Sequence, residues 1–302
     1  MHRKISVVIP CKDRHTKLQR ALASVQKQSL LPHEIIVVDD GSEPPLALNA
    51  SDQIPIKLIR QRNQGPAAAR NRGVREASGE WIALLDSDDV WFPEKLATQS
   101  ELINQHESSG FCVSNMEMHG WPPMEFPLVP AAGSQGDLIP DALDRLLPGR
   151  FIPTPGVMFR KDVFLKVGGF DEHLWYCEDY DLWLRLAAVT QVTATPQCLG
   201  ACYRETASLS SREYTPAAGE AGVYILKKVM SSDLFDERAK QSAALRLGKT
   251  FYDLAYSYRK HGRPLKCCAA AWHSLRCGGP LGANLKNFFF CWPELLQSHA
   301  VN

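Results

Sequence analysis

Two acidic clusters stand out early in the sequence. Asp39-Asp40-Gly41-Ser42 follows the apolar run at 34–38, and Asp86-Ser87-Asp88-Asp89 follows another at 81–85. Alone, each has a plain structural reading: a tight turn in which Asp bonds its own backbone, or a capping loop ahead of the helix that Pro93 opens. Together they point to a site. In an open α/β sheet, ligands bind beyond the carboxyl ends of the strands, where the winding reverses. Right-handed crossovers set the strands ending near Pro10, Val38 and Leu85 beside one another. Two carboxylate groups and the polar loop 10–14 then share one crevice. Hard oxygen ligands in such a place suit Mg²⁺ or Mn²⁺ bridging to phosphates. A third acidic pair, Glu178-Asp179, opens a helix whose macrodipole favours negative charge at that end.

The elements that must hold these residues alternate along the chain. Apolar runs at 5–9, 34–38, 56–60, 81–85 and 110–115 predict strands. Leu18, Ala21, Leu22 and Val25 recur at helical spacing, a second helix is expected at 67–77, and Pro93 begins a third that runs to about His106. Continuously apolar strands alternating with amphipathic helices predict a mostly parallel α/β sheet with helices on both faces. Residues 116–150 are rich in Pro and Gly and predict no regular structure. A strand at 156–160, the turn Gly168-Gly169-Phe170-Asp171 and a helix at 179–188 follow, and beyond Arg212 the text reads as several helices.

Bulk properties narrow the function classes. The 302 residues suffice for one large α/β domain with an appendage, and the formal net charge of +1 gives no global attraction to nucleic acid. Nine cysteines without a Cys-x-x-Cys pair predict reduced thiols in a cytoplasmic protein. The apolar run at 5–10 is broken by Lys12-Asp13-Arg14, too early for a signal peptide. No stretch reaches the roughly 18 apolar residues of a membrane span. The first strand is not followed by G-x-G-x-x-G, and neither a P-loop nor H-E-x-x-H occurs, which argues against dinucleotide, P-loop and zincin chemistry.

Six stretches then resemble the family-2 inverting glycosyltransferases, in that family's order: SVVIPCKDR at 6–14, IIVVDDGS at 35–42, NQGPAAARNRGV at 63–74, GEWIALLDSDDVWFPEKL at 79–96, VMFRKDVFLKVGGFDE at 157–172 and CEDYDLWLRL at 177–186. The resemblance covers most of residues 5–210. It implies a GT-A fold, Rossmann-like, over residues 1–212, with 213–302 as a C-terminal helical region. It implies transfer of a sugar from a nucleotide diphosphate, UDP-type favoured, to an acceptor hydroxyl on a saccharide or lipid-linked saccharide, in cell-surface polysaccharide or glycoconjugate synthesis.

By the same resemblance Pro10, Asp13 and Asp40 line the base pocket, with Asp40 accepting from a ring N–H, and Arg70 sits beside base and ribose. Asp86, Asp88 and Asp89 form the DxD-type site, with Asp88 towards ribose and diphosphate and Asp89 leading the ligation of Mn²⁺ or Mg²⁺. Asp179 matches the general base, with Glu178 beside it. The sequence departs from many relatives in two places. Thr206 stands where a histidine is usual, and Cys11-Lys12 replaces Thr/Ser-Tyr, which leaves the base-stacking contact without its usual aromatic. Rival readings are a nucleotidyltransferase that makes the activated sugar, which lacks its Gly-rich basic loop here, and a non-catalytic nucleotide-binding protein on a decayed scaffold.

From Lys240 onward nine Lys and Arg face two acids, a net charge of +7, in a segment that also carries Trp272, Phe288-Phe289-Phe290 and Trp292. A basic, aromatic-bearing helical region of this kind can lie on an anionic membrane, on the inner face for a cytoplasmic protein; an ordinary helical cap with a solvated basic face is the alternative.

Overall fold

The computed structural model describes residues 3–48, 53–121, 128, 136–149, 152–204 and 215–288. The chain forms two compact units, Met1–Glu205 and Thr206–Asn302. The boundary expected after residue 212 lies outside the described residues.

The first unit is built on one sheet whose strands run in the order β3-β2-β1-β4-β8-β6-β9-β5. Its parallel half comprises β3 (Ile56–Gln61), β2 (Glu34–Asp40), β1 (Ile5–Cys11) and β4 (Trp81–Leu84). Ile35, Ile36, Val37 and Val38 are all fully buried although successive side chains point to opposite faces, so both faces of β2 are covered. The edge strand β3 lacks that run and exposes Leu58.

Helices α1 (His15–Gln26) and α2 (Pro66–Glu76) are the crossovers that keep these strands parallel. In α1, Leu18, Ala21, Leu22 and Val25 are buried at the spacing of one helical face. In α2, Gly73 lets the helix approach β1: a Cβ there would meet Val8 Cγ1 at 2.3 Å.

The other half is mixed. β8 (Val157–Arg160) runs antiparallel to both β4 and β6 (Ser109–His119), while β9 (Gln191–Tyr203) is parallel to β6 and antiparallel to β5 (Val90–Trp91) and β7 (Asp137–Leu138). Helix α3 (Lys95–Gln105) precedes β6, and α5 (Lys161–Lys166) follows β8.

The expectation of an irregular 116–150 is corrected: β6 continues to His119, β7 follows, and α4 (Ala142–Leu146) forms a short helix. The 13-residue β9 was not expected at all. Its Pro196 breaks the apolar pattern, yet it falls where the pairing with β6 shifts register, an irregularity that tolerates proline.

Helix α6 (Glu178–Val189) is anchored by Trp183, buried and stacked on Phe111 at 5.3 Å between ring centroids, with Phe159 and Phe170 against it. That anchor fixes where the first turn of α6 points.

The second unit packs α7 (Pro216–Ser231), α8 (Glu237–Lys260) and α9 (Pro264–Arg276) in sequence. Thr215 and Asp236 cap the first two, accepting from Ala218 N and Ala239 N at 3.3 and 2.8 Å. Ser274 Oγ donates to the Gly248 carbonyl at 2.6 Å and ties α9 to α8. No helix among the described residues is long and apolar enough to cross a membrane.

Candidate active site

The strand order puts β1 between β2 and β4, so their C-terminal ends lie side by side. The loop after β1 and the turn after β2 are tied to each other. Asp13 N donates to Ser42 Oγ at 3.0 Å, and Asp13 Oδ1 accepts from Glu43 N at 2.8 Å. Asp39 makes the turn itself, accepting from Ser42 N at 2.8 Å and Leu46 N at 3.2 Å. Burial pushes its carboxyl upward, but the Ser42 and Leu46 donors outweigh this and hold it below the ordinary carboxylate value. Asp39 is therefore a structural carboxylate. Pro10 lies at the end of β1, paired in register with Val38.

Asp40 reaches across to the chain that opens α2. Its Oδ1 accepts from Gln61 Nε2 at 2.9 Å and Gln64 N at 2.8 Å, and its Oδ2 from Gly65 N at 2.8 Å. With the Asn63 amide oriented to satisfy both of its neighbours, Asn63 donates to Asp40 Oδ2 at 3.1 Å and accepts from Lys12 Nζ at 2.8 Å. A carboxylate has about four acceptor sites, so Asp40 is engaged with its own chain. A base N–H would have to displace one of these donors.

Arg70 is the keystone. On the buried face of α2, it sends Nη2 to Asp86 Oδ1 at 2.7 Å and Nη1 to Glu178 Oε1 at 2.8 Å. Desolvation disfavours its charge, but Asp86 and Glu178 overcome this and raise its pKa. This one guanidinium joins the loop after β4 to the first turn of α6. The expectation placed Arg70 beside base and ribose; here both of its terminal nitrogens bind acidic side chains of the site.

Asp88 and Asp89 are buried. Arg14 Nη1 pairs with Asp88 Oδ2 at 3.0 Å, and Arg20 Nη2 donates to the Asp88 carbonyl at 2.7 Å. Asp89 Oδ1 accepts from Tyr203 N at 2.9 Å, which brings the end of β9 into the site. Burial, then the nearby Asp86 and Asp88 charges, push Asp89 up to about 8. Asp179, partly exposed, is pushed up to about 7 by desolvation and by Glu178, against a hydrogen bond from Tyr180 N at 2.7 Å. Cys177, which precedes this acidic turn, has φ of 59°, in the left-handed region a cysteine rarely adopts.

Among the described residues no three His, Cys, Asp or Glu side chains converge as a ready-made metal cage. Mg²⁺, however, is commonly held by one or two carboxylates with substrate phosphates completing its shell. The buried Asp88-Asp89 pair, whose crowded negative charge raises Asp89, is an oxygen donor set that fits such an ion. Arg14, Arg20 and Tyr203 are not among the site residues expected from the sequence, although Arg14 lies in the loop 10–14 that was expected to share the crevice. The arginines lay within or just past a recognised motif without a partner in view, and Tyr203 enters through its backbone, which leaves no mark in the residue type.

A sheet whose acidic loops meet at the ends of β1, β2 and β4, with a helix bringing a further acidic pair, is the GT-A arrangement of glycosyltransferases. The profile described as Glycosyl transferase family 2 matches residues 6–127. The uncharacterised glycosyltransferase YwdF of Bacillus subtilis is 33% identical over 205 residues, which cover 66% of this chain and 74% of YwdF. An uncharacterised glycosyltransferase of Haemophilus influenzae is 30% identical over 187 residues, and the chain spans 61% of its length. The crystal structure of S. aureus TarS 1-349 in complex with UDP-GlcNAc shares the fold, with a TM-score of 0.71 at 17% identity over 98% of this chain and 92% of that one. The chain belongs to glycosyltransferase family 2.

Proposed function

We propose that the protein transfers a sugar, with inversion, from a uridine-type nucleotide diphosphate to a hydroxyl of a saccharide or lipid-linked saccharide, in cell-surface polysaccharide or glycoconjugate synthesis. The observation that carries this reading is the Arg70 bridge, 2.7 Å to Asp86 and 2.8 Å to Glu178, which holds the loop after β4 and the acidic start of α6 on one crevice. The TarS structure that shares this fold is a complex with UDP-GlcNAc, which favours uridine.

Asp179 is the general base in this reading, with Glu178 as its neighbour and next candidate. A carboxyl raised to about 7 matches the demand for a base poised near the working pH. It takes the acceptor proton as the hydroxyl oxygen bonds to the anomeric carbon. The sugar–phosphate bond breaks on the opposite face, and the electron pair leaves with the nucleoside diphosphate. One displacement with one base inverts the centre. Asp89 and Asp88 would hold Mn²⁺ or Mg²⁺, which when bound supplies neutralisation of the charge developing on the leaving diphosphate. Asp13, Pro10 and Asp40 are assigned to the base pocket, and Arg70 and Asp86 to the join between donor and base.

For the second unit we propose a cytoplasmic membrane face bearing anionic lipid as partner. Leu265 and Trp272, 72% and 57% exposed and seven residues apart, share one open side of α9, with Arg263, Lys266 and Arg276 near it.

A nucleotide-release assay tests the enzymatic reading. UDP should be released from UDP-GlcNAc or another UDP-sugar in the presence of Mn²⁺ or Mg²⁺. Absence of release and of nucleotide binding across a panel of donors would leave the decayed-scaffold alternative.

A further inference from the structure

A nucleobase offers a protein hydrogen-bonding edges and a π face, and aromatic side chains are the usual platform for the face. The loop after β1 has no aromatic with which to meet it. Cys11 is buried, Lys12 reaches Asn63, Asp13 is tied to Ser42 and Glu43, and Arg14 pairs with Asp88. An aromatic platform for the base, if the site has one, is supplied by another segment.

Among the described residues of the first unit, Trp175 is the most exposed Phe, Tyr or Trp, at 52%. Trp81, Trp91 and Trp183 are between 0 and 3% exposed and belong to the core. Holding an indole open to water forgoes stabilisation that the other three gain by burial. The exposed ring is also not loose on the surface. A Cβ built on Gly65 would lie 3.3, 3.4 and 3.6 Å from three atoms of its six-membered ring. Gly65 has φ of +90° and donates its N–H to Asp40 Oδ2 at 2.8 Å. Trp175 therefore rests on the glycine turn that Asp40 organises, three residues before Glu178. Its position is on the flank of the crevice between the Asp40 turn and the start of α6.

We propose that Trp175 is the stacking platform for the nucleobase of the donor, supplied from the segment before α6 rather than from the loop after β1. The proposal rests on the nucleotide-sugar reading and on Asp40 and Gly65 marking the base end of the crevice. Gly65 is part of the device, because any side chain there would push against the indole.

Calorimetric titration of the full chain with UDP, other nucleoside diphosphates and inorganic pyrophosphate, all with Mg²⁺, tests it in wild type, Trp175→Phe and Trp175→Ala. Loss of one base stack should weaken UDP roughly 5- to 100-fold in the Ala variant, with pyrophosphate changed by less than about twofold and Phe recovering most of the loss. An Ala variant that binds UDP like wild type overturns the proposal while leaving the nucleotide reading intact. So does an equal loss of UDP and pyrophosphate, which would make Trp175 structural. A wild-type chain that binds no nucleoside diphosphate more tightly than pyrophosphate overturns both.

Discussion

Replacing Asp179 with Asn separates catalysis from stability, because the same burial that tunes the carboxyl also strains the fold. Its pKa is raised from an ordinary 3.8 to about 7. The folded chain thus holds this proton more tightly than the unfolded chain does. As pH rises from about 4 to about 7 the unfolded chain ionises first, so this group's contribution to stability falls across that window and is at its most unfavourable above pH 7. At about 1.36 kcal/mol per unit, three units set an upper bound near 4 kcal/mol. Partial solvent access and the nearby Arg70 charge, which opposes the shift, reduce the expected gain in the Asn variant to about 1–2 kcal/mol. For a unit of this size that is a rise of about 2–8 °C in Tm at pH 8, with no change at pH 4. Turnover should meanwhile fall by roughly 10²–10⁴. In wild type, kcat/KM should climb with pH through about 7 and then level, because the base must be ionised to accept a proton. Calorimetric melts at the two pH values and a pH–rate profile measure both effects. An Asn variant with normal turnover, or one less stable at pH 8 than wild type, would refute the reasoning and move the base to Glu178.

Chelation by EDTA should abolish nucleotide release and Mn²⁺ or Mg²⁺ restore it, while Asp89→Ala should lose the metal-supported part of UDP binding; full release in chelator would sink the metal assignment. Arg70→Met leaves Asp86 and Glu178 without their shared cation, and breaking a buried pair from one side costs about 3–5 kcal/mol. Denaturant unfolding should show that loss, and a variant as stable as wild type would mean the bridge is incidental. The full chain should bind vesicles containing phosphatidylserine at low salt and release as ionic strength approaches about 0.15 M, where the Debye length is about 8 Å. Trp272→Ala with Leu265→Ala should weaken this binding, and a chain that ignores such vesicles at low salt carries only a helical cap.

The parallel half of the sheet was legible because β1, β2 and β4 are buried on both faces and read as nearly unbroken apolar runs, as in 35–38. The mixed half was not. β9 carries Thr193 and Thr195 among its buried positions, and a proline and a glycine within its span, so its residue types resemble a loop. Its strand character comes from pairing with β6 and β5, a long-range fact that no local window contains. Residues 116–150 misled for a related reason, since β7 is two residues long and exists only because β9 is there to receive it.

At the site, residue types announced the acids but not what steadies them. Asp86, Asp88 and Asp89 crowded into one loop would repel one another, and the folded chain answers with Arg70 on Asp86 and Arg14 on Asp88. Asp89 accepts the Tyr203 N–H and a bond from the Cys202 thiol, and burial beside the Asp86 and Asp88 charges makes it the one whose proton affinity climbs. Arg70 comes from α2, the element just before β4, and Arg14 from the loop that opens α1, far back in the sequence, and the parallel crossovers bring both to the same edge. A purely structural acidic loop would be expected to pair or solvate each of its carboxylates. This one leaves Asp89, as buried as Asp88, without an arginine partner among the described residues, and desolvation is likewise the first cause that raises Asp179. In the proposed reading, Asp89 would serve a cation and Asp179 a proton, the two tasks that the proposed transfer from a nucleoside diphosphate to a hydroxyl would set.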